Sequence, residues 1–131
     1  MNKRVASAAR GIAVAVLAAL FVAFAGTMLH RQSVVITGVE LYWGVGAALL
    51  LLASVELWLV AWSGSVIPTA VAGLVAYASV GLLSSGGPDK RLVLGDLIGN
   101  IWVFGIAGVT LLMLVVAAGL LARWKAAAKG R

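Results

Sequence analysis

Residues 41–62 read LYWGVGAALLLLASVELWLVAW. The run is predominantly apolar and holds one ionisable side chain inside it, Glu56. Tyr42 and Trp43 frame one end, and Trp58 and Trp62 frame the other. About 20 consecutive apolar residues are what a helix needs to cross roughly 30 Å of hydrocarbon. Tyr and Trp gather at the two membrane–water boundaries, where an apolar ring and a polar tip are both accommodated. The stretch therefore reads as a membrane-spanning helix that carries a carboxyl group inside the bilayer.

The rest of the chain is consistent with that reading. Of its 131 residues, 63% are hydrophobic and 11% charged. A chain this short leaves much of its surface outside any core, so the apolar excess cannot be hidden from water and belongs in lipid. One domain is expected. There are no cysteines, which excludes disulfides and thiolate metal sites, and a single histidine rules out a multi-histidine centre within one copy. No metal or cofactor is expected. The net charge is +6. Its cations cluster at the two ends, so the expected partner is anionic lipid headgroups rather than nucleic acid.

Outward from the opening stretch, three further spans are expected, at about 11–29, 66–83 and 96–121. The first carries small residues at helical spacing, Ala15, Ala19 and Ala23, with Ala18 and Gly26 on a neighbouring stripe. Such stripes let helices approach closely in lipid. A competing reading takes Lys3, Arg4, Arg10 and the following apolar run as a cleavable signal peptide ending near Ala23-Phe24-Ala25. Residues 30–40, HRQSVVITGVE, form a connector whose β-branched run at 34–37 is expected to be locally extended or to lie at the interface. Ser63-Gly64-Ser65 reads as a tight turn, and Pro68 falls in the first turn of the third span, where a missing amide proton costs nothing. Ala72 and Ala76 make a small-residue pair, and Gly73, Tyr77 and Gly81 continue on an adjacent stripe. Gly86-Gly87-Pro88-Asp89 is a turn signal in the second long connector.

The expected fold is all-α: a four-span transmembrane helical bundle, up-down-up-down, forming a single integral membrane domain over 1–131. Four spans leave both termini on one side. The tails carry Lys3, Arg4, Arg10, Arg123, Lys125, Lys129 and Arg131. The other side carries Arg31, Lys90 and Arg91 among Glu40, Asp89 and Asp96. The positive-inside rule then makes both termini cytoplasmic, in a multi-pass protein of the cytoplasmic membrane.

Glu56 leads the residues that could carry chemistry. A charged carboxylate at depth costs at least a few kcal/mol, so such groups are functional candidates by default. On a 3.6-residue period Glu56 shares a stripe with Gly46, Leu49, Ala53 and Val60, which is expected to face the bundle, while Trp58 and Trp62 face lipid. It lies roughly 7 Å to the cytoplasmic side of the span's midpoint. At that level the third span offers Thr69, and the first and fourth offer only apolar groups. Arg10 and Arg123 lie nearer the boundary, from which long side chains reach inward. Three roles follow, the first preferred over the other two, which stand level. Glu56 pairs with Arg10 or Arg123 or snorkels outward; it is a neutral, hydrogen-bonded carboxyl that fixes helix packing; or it handles a proton or cation.

Asp96 and Asn100 share a face at the outer end of the fourth span. Asp96 reads first as a helix cap and second, with Asn100, Lys90 and Arg91, as a polar way in from outside. Gly95 and Gly99 form a helix-contact pair. Tyr77 and Thr110 are expected to make hydrogen bonds near mid-membrane. His30 is expected at the interface, by the end of the first span. No phosphate-binding glycine loop, zinc-protease helix or nucleophile turn is present, and no nucleophile, histidine and carboxylate fall within one leaflet. An enzyme is not expected.

The Ala/Val/Gly/Leu-rich spans, short loops and basic tails resemble the small four-helix membrane proteins common in high-GC bacteria. That resemblance is one of type, without a specific motif, and implies no function. The size also resembles that of the small multidrug resistance transporters, four-helix dimers with an essential glutamate in the first span. Here the first span has no acid, and Glu56 is in the second. The small fluoride channels are also four-helix dimers, but their Asn-, Thr- and Phe-rich pore motifs are not seen in this chain. The leading expectation is a non-enzymatic accessory or structural subunit that packs against a membrane-protein partner or a second copy. The alternative is a small oligomeric transporter or channel, proton- or cation-coupled, using Glu56.

Overall fold

The computed structural model describes residues 3–84 and 97–130. Among these the chain is mostly helical, with four helices: α1 (Lys3–Leu29), α2 (Trp43–Ser63), α3 (Ile67–Ser84) and α4 (Leu97–Lys129). Three of them are long and apolar enough to cross a membrane, and α3 is a shorter apolar helix. Both basic tails continue their helices. The 27 residues of α1 take in Lys3 to Arg10, and the 33 residues of α4 run through Arg123 to Lys129. Alanines between the charges favour that extension, since alanine has the highest helix propensity.

The connector after α1 departs from an all-helical reading. Val34–Ile36 (β1) and Val39–Leu41 (β2) pair antiparallel, with Val35 opposite Glu40. Thr37 and Gly38 both adopt positive φ, 51° and 81°. Two consecutive residues of that kind make a tight turn whose twist suits a hairpin. The Ser33 hydroxyl donates to Glu40 Oε1 at 2.8 Å and closes the hairpin's base. Leu41 thus belongs to a strand, and α2 begins at Trp43.

At its other end α2 stops at Gly64, whose φ of 65° lets its N–H reach the Val60 carbonyl at 2.9 Å. The Ser63 hydroxyl donates to the Leu59 carbonyl, and the Ser65 hydroxyl accepts from the Ile67 N–H that opens α3. These local bonds make the Ser-Gly-Ser turn.

Each helix buries residues three, four or seven apart on one face: Gly11, Ala15, Ala19 and Ala23 in α1; Gly44, Ala48, Leu52, Glu56 and Val60 in α2; Thr69, Gly73, Ala76 and Val80 in α3; Trp102, Ile106, Met113 and Ala117 in α4. Rows of four are natural ridges on a helix surface. This corrects the expected α2 stripe. Gly46 is exposed with open space where a Cβ would go, and Gly44, two residues nearer the hairpin and on the Glu56 row, fits against the Leu29 carbonyl and Gln32 instead. α1 packs along α2 and α3, and so does α4. Gly11 faces Pro68, while α1 and α4 meet where Gly26 faces Trp102.

The core is made largely of small side chains and the outside of large ones. Ala15, Ala19, Ala48, Ala72 and Ala76 are wholly buried, whereas Leu17, Phe21, Leu50, Leu74, Leu82, Phe104 and Val115 are exposed. In water so continuous an apolar surface would drive association. In lipid it is the ordinary exterior, and small residues at the contacts let backbones close up.

Candidate functional site

Glu56 is completely buried, facing the bundle, and two threonines from two other helices close on it. The Thr110 hydroxyl in α4 donates to Glu56 Oε1 at 2.7 Å. The Thr69 hydroxyl in α3 donates to the Glu56 backbone carbonyl at 2.9 Å. Glu56 Oε2 is buried with no hydrogen-bond partner among the described residues. Three helices therefore meet at one residue.

The fit depends on Gly73, one turn along α3 from Thr69. A Cβ at Gly73 would overlap the Thr110 side chain. The missing side chain is the seat into which Thr110 settles, and that seating brings its hydroxyl to the carboxyl. Thr69 is also completely buried, while Thr110 is half-buried.

On the opposite side of α2, Trp58 and Trp62 are 51% and 46% exposed. They stack on each other, with ring centroids 5.8 Å apart and planes 10° from parallel.

The expected pairing with arginine is not what surrounds Glu56. Arg10 and Arg123 are exposed, and neither bonds to it. Arg123 is thirteen residues beyond Thr110, about 20 Å along the helix axis. Arg10 lines a cleft at the start of α1 instead. A buried ion pair would require removing the guanidinium from water as well as the carboxylate, and the hydroxyl avoids that second penalty. Of the expected intramembrane group, then, Glu56 and Thr69 come together and the two arginines do not.

Asp96, with Gly95, Lys90 and Arg91, lies outside the described residues. Asn100 is exposed. Tyr77 is 40% exposed on the outer face of α3, and Gly81 of the same stripe has open space where a Cβ would go.

A second buried polar cluster occupies the hairpin end of the bundle. The Trp102 Nε1–H donates to the Thr27 hydroxyl at 3.2 Å. His30 Nδ1 lies 2.6 Å from the Thr27 carbonyl, and the His30 ring stacks on Trp102 at 6.1 Å. His30, directly after the end of α1, is wholly buried. The indole of Trp102 covers it, and the indole fits because Gly26 leaves room: a Cβ there would overlap the ring.

Neither threonine partner of Glu56 is close to it in the sequence. Thr69 was legible as a polar group at the right depth. Thr110 read only as a generic hydrogen-bonding residue, and Thr27 gave no signal. Compared with protein-family models, with curated proteins and with solved structures, the chain finds no match.

Proposed function

We propose that the protein is a four-span, up-down-up-down bundle of the cytoplasmic membrane with both termini cytoplasmic. In this reading it serves as a non-enzymatic accessory or interaction subunit, in which Glu56 ties helices together. The observation that carries the functional part is the complete enclosure of Glu56, with one oxygen and its backbone carbonyl held by threonines of α3 and α4. A carboxyl that exchanges protons or ions with substrate needs a water-reaching cavity. The cleft at the start of α1 and the hollow beside Arg123 are lined by other residues.

Support for four passes comes from the 18 residues of α3, about 27 Å of helix, and from its packing along the full-length spans. Support for alternating direction comes from Gly11 against Pro68 at one end and Gly26 against Trp102 at the other. The orientation rests on the excess of cations in the tails. The apolar exterior suits lipid along the spans, and the basic ends suit anionic headgroups. A membrane-protein partner or a second copy would pack on the same exterior.

A small proton- or cation-coupled transporter is the second reading, favoured by the buried, unpartnered Glu56 Oε2. The experiment that separates them reads proton flux in proteoliposomes of the native chain and of Glu56→Gln. No flux in either, with the Gln variant folded, is expected. A flux present in the native protein and abolished by Glu56→Gln would reverse the ranking. Crosslinking in native membranes then reads whether a partner or a second copy is bound.

A further inference from the structure

Lys3, Ser7 and Arg10 follow one another at i, i+4 and i+7 and so share one face of the first three turns of α1. That face borders a cleft of about 680 Å³ whose other wall is the α2–α3 turn. Arg4 joins the three from the α1 side, and Trp62 and Ser65 line the opposite wall. Three cations thus open on one space, and no lining residue is acidic. The two acids among the described residues are elsewhere: Glu40 is in the hairpin and Glu56 is enclosed. The floor adds to the positive potential, because α3 starts there at Ile67 and presents its N-terminal dipole to the cleft.

The other basic end is built differently. Arg123 borders a smaller hollow of about 230 Å³, with only Val116, Gly119 and Leu120 beside it. The two tails carry similar charge, yet among the described residues it is the first that makes a concave site with several cations, hydroxyls and an aromatic wall.

We propose that this cleft binds a phosphate ester, with the phosphate among Lys3, Arg4 and Arg10 and the ester's remainder along Trp62 and Ile67. Guanidinium groups bind phosphate oxygens in paired hydrogen bonds, and an ammonium adds a mobile point charge. Ser7 and Ser65 supply hydroxyls around the rim. If the helices span a bilayer, as proposed above, the cleft lies at headgroup level and the ester is an anionic phospholipid. The same chemistry would hold a soluble phosphate monoester.

The test uses the full chain purified in neutral detergent and native mass spectrometry with phosphatidylglycerol and phosphatidylcholine at equal concentration. Phosphatidylglycerol is expected to be retained one per chain, at least about tenfold over phosphatidylcholine. The double variant Arg4→Gln/Arg10→Gln is expected to lose most of that preference, and Arg123→Gln/Lys125→Gln/Lys129→Gln to keep it. Lys3→Gln, at the exposed start of α1, gives a readout if the double variant does not fold, and is expected to weaken retention. Competition by glycerol phosphate at concentrations matching the lipid would make the natural ligand a soluble ester; failure to compete makes it a lipid. Equal retention of both lipids, or equal loss in both sets of variants, would overturn the site. Alkaline extraction of native membranes tests the membrane reading separately. A chain released by that wash would sink the bilayer placement and leave phosphate-ester binding to stand on the competition arm.

Discussion

Among the described residues the bundle holds two buried polar clusters, one toward each end, built on the same device with different chemistry. At the Ser-Gly-Ser end, Gly73 of α3 seats Thr110 of α4, whose hydroxyl reaches Glu56 of α2. At the hairpin end, Gly26 of α1 seats the Trp102 indole of α4, whose N–H reaches Thr27 of α1. In each, a glycine removes a side chain so that a polar group of a neighbouring helix can enter. The hairpin cluster joins an indole, a threonine and a histidine and carries the largest wholly buried side chain, so packing of that indole is a large part of its stability. The Glu56 cluster is held by single interhelical hydrogen bonds to one carboxyl, whose second oxygen is unpartnered, and to the Glu56 backbone carbonyl. A small-residue stripe is thus more than a smooth contact surface. At two positions it decides which polar side chain can reach the interior.

The comparison predicts a ranking of mutational effects, read as unfolding in micelles by titration with a denaturing detergent. Trp102→Ala should be the most damaging, because it empties the hairpin cluster and uncovers His30. Truncating a buried tryptophan costs about 3–5 kcal/mol. A loss no larger than that of a threonine variant would break the claim that this end is held by packing.

Gly73→Val should come next, at about 1–3 kcal/mol from overpacking. Combining it with Thr110→Ala should be less damaging than the sum of the two, since the smaller residue vacates the space that valine needs. Additive losses would show that Thr110 does not sit in the Gly73 seat.

Thr110→Val and Thr69→Val remove single interhelical hydrogen bonds and should each cost about 0.5–2 kcal/mol, the range measured for such bonds within membranes. With Glu56→Gln as background, Thr110→Val should cost a similar amount, because a glutamine carbonyl still accepts the hydroxyl. A Thr110 effect that vanishes in Glu56→Gln would mean the bond depends on the carboxylate charge.

The smallest effect belongs to Arg10→Gln, which should leave the unfolding midpoint unchanged because Arg10 is exposed and faces the basic cleft. A clear loss of stability in Arg10→Gln that disappears in Glu56→Gln would restore the arginine–glutamate pair and undo the contrast between the two clusters.

The helices themselves were legible from local features. Apolar runs, Pro68 in a first turn and Ser63-Gly64-Ser65 act within a few residues of themselves, and the helix limits fall close to them. The hairpin at 34–41 was half legible. Its β-branched residues pointed to extended chain, but the pairing needed Thr37 as well as Gly38 at positive φ, which threonine seldom adopts. The helical continuation of both tails is not legible from their charge, because charge alone does not say whether a basic segment is ordered.

What the sequence by itself determined is the apolar helical character of the chain, the turn between α2 and α3, and the presence of one carboxyl deep in an apolar helix. These follow from composition and spacing over less than one span. Only the tertiary structure decided what meets that carboxyl. Glu56 and Thr110 are 54 residues apart, and Thr27 and Trp102 are 75 apart. No local pattern links such pairs. Which hydroxyl arrives depends on the relative rotation and height of three helices, and here two glycines set where a neighbouring side chain fits.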